Sequence, residues 1–253
     1  MKLRVLGAFG SEGLGQRPSA FLVNERVLVD AGTAPGALSL AEQLAIEHVL
    51  VSHAHLDHVA GLAFLTDTLA CRREGRTITV ASIDAVVHAL RTSIFNDIVW
   101  PDFSRIPDPA MPVVQFQTLA EDTEQRVGEL LVTSVAVNHS VPAVGFIVHD
   151  GHHGFVYSGD TGPTDALWKA ARTVRGIQGI VLECSFPDRL GKLAGVSGHL
   201  TPELVRRELE KMPADVPVWI FHVKPQFHAE IVEELASLDG RVSLLEQDKT
   251  YDL

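Results

Sequence analysis

A chain of 253 residues, 46% of them hydrophobic and 21% charged, is long enough to bury a sizeable core as one large domain. Its formal net charge of −11 argues against a nucleic-acid polymer as the main partner, because such binding rests on neutralising phosphates with Lys and Arg. No run approaches the roughly 20 apolar residues that span a bilayer, and Cys71 and Cys184 make no disulfide framework, so a cytoplasmic protein without a membrane partner is expected.

Leu3 to Ala8 reads as a first strand and not as part of a signal peptide, since the N-terminus lacks a proper apolar run and a cleavage site. Gly10 to Gly15 is a glycine-rich loop without the Lys-Ser/Thr ending of a phosphate-binding loop, and is read as a turn at the rim of a site. Phe21 to Val23 and Val27 to Val29 form a hairpin that Asp30 closes. One helix is predicted over 36–47, followed by a buried strand, Val49 to Val51.

Directly behind that strand come His53, His55, Asp57 and His58, and then an apolar helical segment, Val59 to Leu69. Neutral imidazole and carboxylate suit zinc and its first-row neighbours. In extended chain, side chains two apart leave on the same face, so His53 and His55 can hold one ion together. Asp57 and His58 fall where the chain turns into the helix and can hold a second. Four ligand-type residues within six positions outweigh the reading of a polar turn with chance histidines.

Thr77 to Val80 is the next strand and Ile83 to Leu90 the next helix, with His48 and His88 read as structural. Ile94 to Phe103 is an aromatic loop broken by Pro101. Residues 105–128 read as a surface connection with one strand, Val113 to Phe116, and a solvated acidic turn, Glu121 to Glu124. Leu130 to Val137 is a strand that leads to His139. Val144 to His149 and Gly154 to Tyr157 flank a hairpin turn whose His152 and His153 are read as exposed. Asp160 follows, between glycines that let the backbone approach a ligand. A helix over Asp165 to Arg172 precedes a buried strand running into Glu183. Thr201, Pro202 and Glu203 open a helix just behind His199. Val218 to Phe221 is the last core strand and ends at His222; Val242 to Glu246 is an edge strand with a short tail, and His228 is structural.

The run His53-Ala-His-Leu-Asp-His58 after a strand resembles the signature of the metallo-β-lactamase superfamily. Two stretches narrow the likeness: the ending His55-Leu-Asp-His-Val-x-Gly-Leu62, and Phe95-Asn-x-x-x-Trp-Pro-Asp-Phe103. Both are similar to the class II 3′,5′-cyclic-nucleotide phosphodiesterases. The resemblance implies a single α/β domain over 1–253, an αββα sandwich of two mixed sheets flanked by helices. It implies two divalent ions, zinc first, with manganese or iron accepted by the same donors. His53, His55 and His139 would hold one ion, and Asp57, His58 and His222 the other, with Asp160 bridging and Asp30 in support. Asp57 would also orient or deprotonate the water. Glu183 and His199 would sit near the leaving oxygen, His199 as its acid. Phe95 or Trp100 would touch the base or a partner subunit, which makes a homodimer an option. The implied reaction is hydrolysis of cAMP or cGMP to the 5′-nucleotide by a metal-bridging hydroxide. The alternatives are an RNA-processing phosphodiesterase or a thioester or lactone hydrolase of the same fold, and a non-catalytic cyclic-nucleotide-binding module.

Overall fold

The computed structural model describes residues 1–72, 75–238 and 240–253. The first half of the chain runs β1 (Lys2–Gly7), β2 (Ala20–Val23), β3 (Val27–Ala31), α1 (Ala34–Ala37), α2 (Leu40–Ala45), β4 (His48–Leu50), α3 (Leu56–Arg72), β5 (Ile78–Ser82) and α4 (Asp84–Ala89). A small pair, β6 (Pro107–Asp108) and β7 (Met111–Pro112), precedes β8 (Val114–Thr118). The second half runs β9 (Glu124–Val127), β10 (Leu130–Ala136), β11 (Val144–His149), β12 (Gly154–Tyr157), α5 (Ala166–Ala171), β13 (Ile177–Glu183), α6 (Gly191–Ser197) and α7 (Pro202–Leu209). It ends with β14 (Val218–Phe221), α8 (His228–Leu235), β15 (Val242–Leu244) and β16 (Thr250–Asp252).

Two seven-stranded sheets result, ordered β16-β1-β2-β3-β4-β5-β8 and β15-β14-β13-β12-β11-β10-β9. Each is mixed in the same way. Antiparallel steps run from β16 to β3 and from β9 to β12. Parallel steps then run from β3 to β8 and from β12 to β15. A parallel step needs a crossover, and the helices supply it: α1 with α2, then α3 and α4 in the first half, α5, α6 with α7, and α8 in the second.

Side-chain alternation stacks the layers. In the second sheet Phe146, Val148, Phe155, Tyr157, Val181 and Phe221 join the core shared with the first sheet. The residues between them, Ile147, Val156, Ile180, Leu182 and Ile220, join a second core with Leu167, Trp168, Val205 and Ile231 of α5, α7 and α8. A period of two buries both faces, which gives the expected αββα order of helices, sheet, sheet and helices.

Three expectations change. The single helix over 36–47 is two short helices, because Ser39 starts a new one: its Oγ accepts from Glu42 N while the Glu42 carboxylate accepts from Ser39 N. The stretch 105–128, expected to hold one strand, holds β8 together with the small β6–β7 pair and an edge strand, β9, which pairs with β10. The C-terminal tail is β16, which crosses to the first sheet and pairs with β1. Among the described residues no helix is long and apolar enough to cross a membrane.

Candidate metal centre

Polar residues gather where strands of both sheets end. Beyond β4, His53 and His55 lie in the loop, and α3 starts at Leu56, so Asp57 and His58 fall in its first turn. A helix N-terminus favours a carboxylate there. Gly61 seats this helix: a Cβ on it would come within 2.5 Å of Ala31 O on β3. His139 follows β10, Asp160 follows β12, and His222 follows β14 directly. His222 has φ +63°, a left-handed conformation that a side chain disfavours. Its amide donates to Ala8 O at 2.6 Å. Gly10 lies against it so closely that a Cβ there would be 2.7 Å from His222 Nδ1.

The seven expected donors converge. One ligand atom each of His53, His55, His139 and Asp160 lie within 4.8 Å of one another, and so do those of Asp57, His58 and His222. His139 Nε2 is 3.2 Å from His55 Nδ1, and His58 Nε2 is 3.2 Å from His222 Nε2. Asp160 stands between the groups, 3.6 Å from His53 Nε2, 3.2 Å from His58 Nε2 and 3.3 Å from His222 Nε2. Asp57 Oδ2 is 3.2 Å from His222 Nε2. A third close group joins His199 to Asp160 and His222.

The opposite edge of four imidazoles is held. His58 Nδ1 donates to Asp30 Oδ2 at 2.7 Å and His139 Nδ1 to Gly198 O at 2.9 Å, while His53 Nδ1 pairs with Ser52 Oγ at 3.0 Å and His222 Nδ1 with Ser185 Oγ at 2.8 Å. A proton fixed on Nδ1 leaves the Nε2 lone pair to face the cluster, the arrangement a metal-binding histidine needs. Asp30, fully buried at φ +53°, also accepts from Ser52 N and Oγ at 2.7 Å each and from Tyr157 OH at 2.6 Å.

These donors fit divalent ions. His53 Nε2 and Asp160 Oδ1 are buried and make no hydrogen bond, a state that costs free energy until a cation or proton meets them. Burial drives the proton off His53, and burial also lowers His55 and His139, so these rings are neutral as ligands must be. Burial opposes ionisation of Asp160, but His222, His58 and His53 outweigh it and hold its pKa far down. Burial likewise opposes ionisation of Asp57, and the His222 hydrogen bond overcomes it. His58 goes the other way: burial lowers it, yet Asp160 and Asp30 pull it well above the usual histidine range, so a metal at this position has to displace the proton on its Nε2.

Glu183 and His199 form a pair beside this cluster. Fully buried Glu183 accepts from His199 Nδ1 at 2.8 Å and from Thr161 N at 3.1 Å through Oε1, and from Ser185 Oγ at 3.0 Å through Oε2. Burial lowers the His199 pKa, but Glu183 outweighs it and the net direction is up. The His199 ring stacks on that of His222 at 5.5 Å.

The aromatic loop packs on α3 and β8. Phe95 is 1% exposed and packs on Phe116. Trp100 is half-buried and edge-on to exposed Phe64 of α3, 5.5 Å between centroids. The loop's Asn96 and Asp97 bind its own backbone: Asn96 Oδ1 accepts from Ile98 N and Val99 N, and Asp97 Oδ1 from Asp102 N. His152 and His153 are exposed at their turn, as expected. Sequence reasoning missed Ser52, Tyr157, Ser185 and Gly198. Only Gly198 carried a local signal, as the left-handed cap of α6.

Comparison with known proteins agrees with the fold. A family model described as "Beta-lactamase superfamily domain" matches residues 25–222. The chain is 29% identical over 209 residues to a "Probable 3',5'-cyclic-nucleotide phosphodiesterase" of Yersinia pestis. That match takes in 72% of this chain and 58% of the relative, so less than two thirds of the relative's length is spanned. The crystal structure of unliganded yeast PDE1 superposes with a TM-score of 0.80 at 18% identity, covering 98% of each chain. Human tRNase Z, short form, gives 0.70 at 16% identity, covering 100% of this chain and 99% of the other.

Proposed function

The chain belongs to the β-lactamase superfamily domain family, and from that premise we propose that it hydrolyses 3′,5′-cyclic nucleotides to 5′-nucleotides with two divalent ions. The observation that carries this reading is the Glu183–His199 pair, 2.8 Å apart, set against a cluster of seven metal-donor side chains. The name of the Yersinia pestis relative supports the substrate class.

His53, His55 and His139 would hold one ion and Asp57, His58 and His222 the other, with Asp160 between them. When bound, such ions stabilise charge on phosphoryl oxygens and acidify water. The chain's own residues do the rest. Asp57, a quarter exposed and held ionised, orients the water. Opening a cyclic phosphate expels a sugar alkoxide, which needs a proton. His199 has Nδ1 committed to Glu183, so Nε2 can carry that proton, and the carboxylate stabilises the charged ring. A groove of about 530 Å³ opens beside Asp57, lined among others by Glu12, Thr33, Leu56 and Phe64. Its size suits a nucleoside. In this reading Trp100 backs Phe64 and touches the base only through it, and Phe95 braces the loop from within the core.

A second reading, an RNA-processing phosphodiesterase, is favoured by the likeness to human tRNase Z. The net charge of −11 weighs against it. The deciding assay offers the metal-loaded protein cAMP, cGMP and a precursor tRNA, each with a chelated control. Chelator-sensitive release of 5′-AMP or 5′-GMP is the expected result. Cleavage of the tRNA alone would replace the first reading with the second.

A further inference from the structure

The geometry points to Ser185 as a positioning residue that ties the candidate metal ligand His222 to the candidate acid pair Glu183–His199. Ser185 lies two residues past Glu183, the end of β13, and is fully buried. Its Oγ is 2.8 Å from His222 Nδ1, 3.0 Å from Glu183 Oε2 and 3.1 Å from His199 Nδ1.

A hydroxyl has one proton to give and lone pairs to receive. A carboxylate oxygen can only accept, so the Ser185 proton goes to Glu183 Oε2. The hydroxyl oxygen then accepts the Nδ1 proton of His222. The Nδ1 proton of His199 goes to Glu183 Oε1, the shorter of its two contacts. Every member has a matching partner in this arrangement. The reverse direction would put the His222 proton on Nε2, where it would block ligation, and would leave Glu183 Oε2 facing a lone pair. One hydroxyl thus fixes the tautomer of a metal ligand and braces the carboxylate that aims the acid.

The first half of the molecule contains the same device. His53 Nδ1 donates to Ser52 Oγ at 3.0 Å, Ser52 Oγ donates to Asp30 Oδ2 at 2.7 Å, and Asp30 directly holds His58 at 2.7 Å. There both histidines are candidate ligands. At Ser185 only one is, so its loss should be felt at two sites of action.

The test compares Ser185→Ala and Ser52→Ala in the full-length protein by zinc affinity in chelator competition and by turnover of two substrates. The catalytic half rests on the phosphodiesterase reading; the zinc half does not. Both variants should bind one zinc equivalent about 10–100-fold more weakly, the usual effect of removing a ligand's hydrogen-bond partner. At saturating zinc, Ser185→Ala should still turn over cyclic nucleotide more slowly, with KM little changed. It should recover on bis(p-nitrophenyl) phosphate, whose aryloxide leaves without a proton. Ser52→Ala should affect both substrates alike. Ser185→Thr, which keeps the hydroxyl, should restore zinc affinity and the substrate ratio. Wild-type zinc affinity in Ser185→Ala, or an equal loss on both substrates at saturating zinc, would overturn the assignment. If the wild type hydrolyses the aryl ester but no cyclic nucleotide, the phosphodiester substrate was misread, and the zinc measurement alone decides the role of Ser185.

Discussion

The two halves of the molecule solve one problem in different ways. Each ends its strands on a buried carboxylate that directly holds one histidine and, through a serine, a second: Asp30 with His58, Ser52 and His53, and Glu183 with His199, Ser185 and His222. In the first half both histidines face the donor cluster from one corner of chain, 53–58. In the second half the donors arrive singly from the ends of β10, β12 and β14. The corner 53–58 sends His53 and His55 to one donor group and Asp57 and His58 to the other, whereas the second half adds its donors one strand end at a time.

Asp160 tests that contrast most severely, because its carboxylate stands between the two donor groups, against His53 of one and His58 and His222 of the other. Asp160→Ala should lose at least one metal equivalent by elemental analysis and nearly all turnover. Two retained equivalents would mean that the two donor groups do not share this carboxylate. Next in size is His199→Ala, which should keep both metals and lower kcat by about 10²–10⁴-fold. Its pH dependence has a definite sign. Glu183 raises the His199 pKa against burial, so the donating form is complete below that raised value and is lost as pH climbs through it. Activity should therefore have a falling alkaline limb in the wild type that is absent in His199→Ala. Metal loss in this variant would instead make His199 a ligand, as its closeness to Asp160 and His222 allows.

What could be read from the sequence follows the same division. The corner was legible because its donors are dense in sequence and follow an apolar strand. His139, Asp160 and His222 were legible only as polar residues at strand ends, and their grouping came from the family resemblance. Of the braces, Asp30 came from the resemblance and Gly198 had only its helix-cap signal, while the serines and Tyr157 were not legible. Ser185 meets His222 across 37 positions and Tyr157 meets Asp30 across 127, so no local pattern marks them. β16 escaped because three residues with one apolar side chain become a strand only by pairing with β1. The break at Ser39 was written in the sequence as Ser39-x-x-Glu42, and the stronger apolar pattern over 36–47 hid it.

Gly10 sharpens the comparison from the second-half side. The glycine-rich loop makes room for a donor, since a Cβ on Gly10 would meet the His222 ring and carbonyl at 2.6–2.8 Å. Gly10→Ala should displace His222, already held at a disfavoured φ, and weaken one zinc equivalent by about tenfold, the lower end of the effect of disturbing a ligand's support. Gly15, which has open space around it, serves as the control: its φ of +72° makes alanine there a backbone strain with no reach to the site. Equal zinc affinity in both variants would remove Gly10 from the account.

The smallest expected effect concerns the link between the halves. Tyr157 rises from the second sheet and donates to Asp30 at the end of a strand in the first, at 2.6 Å with both groups buried. Tyr157→Phe keeps the ring, and with it the packing on Phe21 and Phe221. Only the hydrogen bond is lost. A bond to a carboxylate contributes about 1.5–3 kcal/mol, and Asp30 retains three other donors, so a cost near the lower figure is expected in urea unfolding with an unchanged m-value. Zinc affinity should hardly move, because Asp30 still receives His58 and Ser52. If zinc affinity falls as far as in Ser52→Ala while stability is unchanged, Tyr157 is part of the histidine support and not a bond between sheets. The second half would then reach into the first half's ligand set, and the division drawn between the two would fail at that residue.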